Sequence, residues 1–192
     1  MITNPRYPDT KHALKILIVV VTLNFLTALE RQCNLFLTPW MLEFGTTQTK
    51  IALVPAFLCL AMSFGALTWT PLVEPFLGTT WGLRLAICFY TGSLLIASCI
   101  SSLLPFLFLV LITGLGMSWM MPASGVSLNR WFYKYKMITN QTMEMGRALH
   151  VCTLPYLIQF VMSTAGWRWA LRILAVLLRG FRIGNLSSTM LF

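Results

Sequence analysis

Charged residues are scarce in this 192-residue chain. They make up 10% of it, against about 25% in soluble domains. Acidic residues are the scarcest, with five Asp and Glu against 14 Lys and Arg. Hydrophobic residues make up 57%, and the mean hydropathy is +0.76. Too few polar residues remain to cover a soluble domain, so the composition predicts a membrane protein. The pI of about 9.8 therefore does not indicate a nucleic-acid-binding surface.

Groups that carry enzymatic or metal chemistry are also few. The five cysteines are odd in number and form no C-x-x-C pair, which argues against a disulfide framework. The two histidines, His12 and His150, are far apart and have no ligand-like neighbour, so no metal site is predicted. The sequence has no P-loop, paired carboxylates or Ser/His/Asp arrangement. We therefore predict no enzyme and no cofactor.

Long apolar runs dominate what remains. A membrane helix needs about 20 mostly apolar residues. The candidate spans are 14–38, 51–69, 83–100, 103–128, 138–164 and a short sixth run at 167–178. No small-x-small cleavage site closely follows the first run, so it is read as a retained helix. The predicted fold is an all-α membrane protein, with an N-terminal segment at 1–13, a six-helix membrane domain at 14–178 and a basic, then polar, tail at 179–192.

The basic residues alternate between successive connections. With the N-terminus in the cytoplasm, nine of them lie inside and two or three outside, as the positive-inside rule requires. Most tryptophans fall near span ends, where indole rings anchor at the membrane interface. The aromatic and basic stretch SLNRWFYKYKMITN, residues 127–140, is therefore predicted to be the cytoplasmic loop between the fourth and fifth spans.

Two adjacent charges interrupt the first span. Charges inside a membrane helix usually face a cavity or a partner, so Glu30 and Arg31 are candidate substrate-binding residues. Adjacent helical residues point about 100° apart, so both cannot face one narrow path. In the alternative interpretation the helix ends at Leu29 and both charges are merely interfacial.

A second charged pair lies in the fifth span. Glu144 and Arg147 are spaced i, i+3, with His150 one turn further along. These groups could form a proton-handling line or a structural ion pair near the inner interface. Proximity to the charged loop favours the structural pair.

An ordered series of landmarks runs from the fourth span to the start of the sixth run. They resemble the series G-x-G, Pro, Y-F-x-K-R-R, A-N-G and G-W-R of monocarboxylate transporter-like members of the major facilitator superfamily. In those transporters the series lies in the N-terminal half. The resemblance gives structural or gating roles to Gly114, Gly116, Pro122, Lys134, Lys136, Asn140, Gly146, Gly166, Trp167 and Arg168. It departs at Thr80, where the family usually has Arg, and at Gln141, where it has Gly.

The resemblance implies proton-linked transport of a small monocarboxylate, such as lactate or pyruvate, by alternating access. It implies a plasma-membrane protein whose partners are the lipid bilayer, the carboxylate and the proton. Arg31 is the nearest match to the basic first-helix residue that contributes to carboxylate binding in the family. Arg differs from Lys in binding carboxylate bidentately, so the substitution would alter specificity.

Family transporters have two six-helix halves, and this chain matches one. It would therefore work as a homo-oligomer or with a full-length transporter. Alternatively, it is a truncated, transport-incompetent product that at most associates with a full-length relative, which the short sixth run and the tail RGFRIGNLSSTMLF favour. A small non-transport membrane protein, such as an assembly factor, is a third interpretation.

Overall fold

The computed structural model describes residues 11–27, 32–132 and 135–181, and every regular element in these ranges is helical. This confirms the predicted all-α class. The helices are α1 (Lys11–Thr27), α2 (Cys33–Phe44), α3 (Gln48–Ile51), α4 (Leu53–Thr68), a π-helical turn (Trp69–Val73), α5 (Glu74–Ala97), α6 (Leu103–Trp131), α7 (Lys136–Ala165) and α8 (Trp167–Phe181).

Within the described residues, three helical stretches are long and apolar enough to cross a membrane: 48–97, 103–131 and 136–165. The first has 50 residues, about 75 Å at 1.5 Å per residue, against a hydrocarbon core of about 30 Å. It reverses at Gly78, which has φ 70° and ψ 165°. Gly82 then packs against the π turn, since a Cβ there would lie 2.8 Å from the Trp69 ring. This stretch therefore contains both the second and the third predicted span.

A connection of residues 70–82 separates those two predicted spans. It is helical except at Gly78. A helix satisfies its own backbone hydrogen bonds and needs no apolar environment, so it continues past the end of an apolar run. The same holds for the predicted loop at 127–140, because α6 continues to Trp131 and α7 begins at Lys136.

Helix α6 is at the centre of the packing and touches α4 and α5 through glycines. A Cβ on Gly114 would lie 2.9 Å from the Leu58 carbonyl oxygen of α4. A Cβ on Gly116 would lie 2.8 Å from the Ala86 carbonyl oxygen of α5. In both places only a residue without a side chain allows the backbones this close.

The two ends of the bundle are held by ion pairs. At one end, called here the Arg130 end, Arg130 Nη2 lies 3.7 Å from Glu74 Oε1. At the other, the Arg168 end, Arg168 Nη2 lies 2.7 Å from Glu43 Oε1 and donates a hydrogen bond to Ser101 Oγ at 3.0 Å. Beneath the second pair lies a cluster of aromatic rings: Phe36, Trp40, Phe44, Phe106 and Trp167.

Candidate functional site

Asn24 is a buried polar residue on the face of α1 that meets α7. The Asn24 residue is only 2% exposed. The Nδ2 group donates a hydrogen bond to the Val20 carbonyl at 2.8 Å. This bond directs the Oδ1 acceptor toward α7, where it receives a hydrogen bond. Buried amides in membrane helices commonly bridge two helices in this way.

The partner of Asn24 is Arg147 of α7, whose three guanidinium nitrogens contact three different groups. Nε donates to Asn24 Oδ1 at 3.2 Å. Nη1 lies 2.9 Å from Glu144 Oε1 and 3.1 Å from the other carboxylate oxygen. Nη2 donates to Met121 Sδ of α6 at 2.9 Å. The Arg147 side chain is 17% exposed and that of Glu144 is 56% exposed, so the cation is sheltered and the carboxylate is open.

His150 lies one turn beyond Arg147 and is fully buried. Its Nδ1–H donates to the Phe25 carbonyl oxygen of α1, and its ring meets the Phe25 ring edge-on at a centroid distance of 5.8 Å. A carbonyl oxygen only accepts, so the contact requires the proton to be on Nδ1. His150 thus joins α7 to α1 beside the arginine.

Gly146 explains why the two helices approach closely enough for these contacts. A Cβ at this position would lie 2.8 Å from the Val21 carbonyl oxygen of α1. A larger residue would separate the helices. The glycine next to Arg147 therefore sets the spacing that lets the guanidinium reach Asn24.

The polar group lies deep in the bundle. Arg147 is 11 residues from Lys136, the start of α7, which is about 16 Å at 1.5 Å per residue. Met121 is 10 residues from Trp131, the end of α6, about 15 Å by the same rise. Arg147 thus lies well inside α7 and its guanidinium points to α1, while the Glu144 side chain stays more than half exposed. The structural role of the Glu144–Arg147 pair stays a prediction.

Several residues singled out in the sequence lie elsewhere. Glu30, Arg31 and Lys134 are outside the described residues. Lys136 and Asn140 lie at the Arg130 end, and Pro122 follows Met121 within α6. Gly166, with φ 85° and ψ 167°, connects α7 to α8. Its neighbours Trp167 and Arg168 belong to the aromatic cluster and the ion pair at the Arg168 end.

The sequence analysis did not single out Asn24 or Met121. A lone amide in the apolar run of α1 is a usable signal, because polar groups in membrane helices seek partners. Methionine gives no such signal. In the described part of the chain, no group of three His, Cys, Asp or Glu side chains could hold a metal ion.

The family model of the Major Facilitator Superfamily matches residues 20–178. The chain belongs to the major facilitator superfamily. No curated protein matches it. The matched region contains Asn24, Met121, Glu144, Arg147 and His150.

Membership in the major facilitator superfamily makes this an integral membrane protein of a transporter family. Each six-helix half of such a transporter consists of two inverted three-helix repeats, and substrate and coupling ions bind near the bilayer midplane. Arg147 lies in the middle third of the 30-residue helix α7. Ionisable residues there mark substrate or ion pathways by default, and a guanidinium suits an anion.

Proposed function

We propose that this major facilitator transporter carries a small monocarboxylate, of the size of lactate or pyruvate, together with a proton. The observation that carries the proposal is the Arg147 guanidinium near the middle of the bundle, between α1, α6 and α7. A sheltered cation inside a membrane bundle attracts an anion. Planar guanidinium matches planar carboxylate through two parallel hydrogen bonds.

One of the present partners of Arg147 is a weak hydrogen-bond acceptor. A thioether sulfur is a weak acceptor, so the bond from Nη2 to Met121 is the easiest to replace. Nη1 and Nη2 together form the fork that a carboxylate takes bidentately. Asn24 would keep Nε and hold the guanidinium in place during the exchange.

Arg31 is the second basic residue of the proposed site, with Glu30 beside it. Arg31 follows Asn24 by seven residues in the chain. Its role rests on its resemblance to the basic first-helix residue of monocarboxylate transporters. We propose that it attracts the substrate carboxylate and that Arg147 receives it.

Alternating access needs a second six-helix unit opposite this one, since major facilitator transporters bind substrate between two halves. We propose that such a unit, from another copy or from a full-length transporter, completes the site. We further propose that the protein lies in the plasma membrane with its N-terminus in the cytoplasm, as the distribution of basic residues favours.

The test is uptake of labelled lactate and pyruvate at acid outside pH, by cells expressing the chain with and without a full-length relative. Arg147→Ala should lower uptake at least about tenfold, since truncating one member of a buried charge pair typically costs 2 kcal/mol or more. Lys50→Gln is the matched control: it also removes one positive charge, but from an exposed residue of α3. Surface expression is measured for each variant.

Two results would contradict the proposal. Equal uptake by Arg147→Ala and the unaltered chain, at equal surface levels, would remove Arg147 from the site. No uptake by the unaltered chain in either setting, despite surface expression, would favour the transport-incompetent alternative. Arg31→Ala is measured alongside, and unchanged uptake would remove that residue's role.

A further inference from the structure

The pattern Trp-x-Leu-Arg occurs twice in the chain, each time shortly after a glycine with positive φ. The copies are residues 81–84, which begin three residues after Gly78, and residues 169–172, which begin three residues after Gly166. Tryptophan is enriched at the membrane–water interface, and arginine near the end of a membrane helix reaches toward the headgroups. Each copy therefore combines the two side chains that suit the headgroup layer.

In both copies the guanidinium lies over the ring of the tryptophan three residues before it. The distance from the guanidinium carbon to the ring centroid is 4.8 Å for Arg84 on Trp81 and 5.1 Å for Arg172 on Trp169. Residues three apart share a helix face, and helical side chains lean toward the helix N-terminus. Each arginine therefore leans back toward its glycine, and a cation–π contact holds it there.

The two arginines differ in what their N–H donors contact. Arg172 Nε donates a hydrogen bond to Ser98 Oγ at 3.1 Å, and its Nη2 lies 4.0 Å from Cys99 Sγ. In the described part of the chain, half-buried Arg84 has neither a hydrogen bond nor an ion pair. A guanidinium has five N–H donors. Those of Arg84 are thus available to a ligand, although the face of the group is covered by Trp81.

Exposed apolar side chains lie close to Arg84 in the chain. Leu72, Phe76 and Leu77 precede the reversal at Gly78, and Phe76 is 80% exposed. Trp81, after the reversal, is 61% exposed. A ligand that covers this surface needs an apolar part as well as an acceptor for Arg84. A phospholipid has both, whereas a free phosphate ion has only the acceptor.

The reversal lies at the Arg130 end, because Glu74 pairs with Arg130 at 3.7 Å. Lys15 is exposed near the start of α1, which packs against the end of α6. Lys136 is exposed at the start of α7. Basic side chains near a bilayer surface attract anionic lipids. The surroundings of the reversal therefore favour a lipid with a net negative charge.

From these observations we propose that Trp81 and Arg84 bind the phosphate group of an anionic phospholipid. The phosphate oxygens accept hydrogen bonds from the edge of the Arg84 guanidinium, which suits a bidentate contact. The Trp81 ring holds the face of the guanidinium, and the acyl chains cover Phe76 and Leu77. The second copy is not such a site, because Ser98 already takes the Nε donor of Arg172.

The test is lipid binding to the purified full chain in detergent, measured by native mass spectrometry with palmitoyl-oleoyl phosphatidylglycerol. Arg84→Gln should lower the affinity about fivefold, the factor expected for one basic residue at an anionic surface. Arg172→Gln is the matched control, since it removes the same charge from the other copy. It should leave the affinity unchanged.

Trp81→Leu is the second variant. It keeps the charge of Arg84 and an apolar side chain, but it removes the ring that holds the guanidinium. It should lower the affinity by about two- to fivefold, the size of an exposed cation–π contact. Circular dichroism and thermal unfolding check that each variant is folded.

Two comparisons identify the source of the phosphate. Phosphatidylcholine with the same acyl chains should bind more weakly, because its choline ammonium offsets the phosphate charge. Inorganic phosphate should not displace phosphatidylglycerol, since it offers nothing to the apolar side chains. Displacement by inorganic phosphate would show a site for free anions and overturn the lipid proposal, as would equal affinity for the two lipids.

The variants give the remaining outcomes. Unchanged phosphatidylglycerol affinity in folded Arg84→Gln or folded Trp81→Leu would overturn the proposal. So would an equal loss in Arg172→Gln, because binding would then follow net charge and not this site. None of these measurements involves substrate uptake, so the result is independent of the proposed transport function.

Discussion

Gly116 determines how closely α6 approaches α5. A Cβ there would lie 2.8 Å from both the Ala86 carbonyl oxygen and the Tyr90 nitrogen. Both obstacles are backbone atoms, which cannot turn aside as a flexible side chain can. Gly125, in the same helix, has no atom within 4 Å of the corresponding position. The two glycines therefore differ in packing alone.

We predict that Gly116→Ala destabilises the protein by about 1–3 kcal/mol, as overpacking of a tight contact does. Gly125→Ala should be neutral or stabilise by about 0.5–1 kcal/mol, because alanine loses less backbone entropy in a helix. Thermal unfolding in detergent compares the two. Equal effects from both substitutions would show that the α5–α6 spacing is not set by Gly116.

The residues of the candidate site were only partly predictable. Glu144, Arg147 and His150 stand out because polar groups in an apolar span are rare. Sequence spacing also predicts that Glu144 and Arg147 meet, since i, i+3 residues are neighbours on a helix. It does not predict the bond from Arg147 to Asn24, which joins residues 123 positions apart. That contact depends on how α1 and α7 are rotated against each other.

Among the elements, the reversal between the second and third spans depends on the backbone of Gly78. Its φ of 70° with ψ of 165° lies in a region that is essentially open to glycine alone. A Cβ there would meet no atom within 4 Å. Substitution would therefore strain the backbone without any clash in packing.

We predict that Gly78→Ala destabilises the fold by about 1–3 kcal/mol, the range for a residue held in a disfavoured backbone region. Gly92→Ala is the matched control, because Gly92 lies within the regular part of α5 and also has open space around it. Both are followed by chemical denaturation in detergent. A Gly78→Ala protein as stable as Gly92→Ala would show that the chain can reverse here by another path.

The positions of the helices were more predictable than their ends. The fourth and fifth spans, predicted at 103–128 and 138–164, lie within α6 and α7. Hydropathy locates the part of a helix that the bilayer covers. It gives no information on residues beyond that part. Trp131 and Lys136 lie outside the predicted spans but are still helical, because the backbone hydrogen bonds of α6 and α7 continue there. The reversal at a single glycine was likewise hidden by the surrounding polar and proline residues.

In the molecule as a whole, the ion pairs at the two ends differ in geometry. The Arg168–Glu43 pair has a separation of 2.7 Å and joins α2 to α8, with Ser101 as a further acceptor. The Arg130–Glu74 pair is longer, at 3.7 Å, and Arg130 is 61% exposed. Exposure and distance both weaken an ion pair.

We predict that Arg168→Gln lowers the free energy of unfolding by about 0.5–1 kcal/mol, the upper part of the range for partly exposed pairs. Arg130→Gln should have a smaller effect, and added salt should reduce the difference between them. Chemical denaturation at low and high salt measures both. A larger loss from Arg130→Gln would contradict the ranking taken from the distances.

The glycine corners have a consequence for symmetry. Gly78 joins the second and third predicted spans, and Gly166 joins α7 to α8. Their φ/ψ values nearly coincide at 70°/165° and 85°/167°. The two corners lie at opposite ends of the bundle, beside Glu74 and Arg168. In inverted repeats, a two-fold rotation about an axis in the membrane plane exchanges such positions. Seen from either face of the bilayer, the bundle therefore presents the same kind of glycine corner.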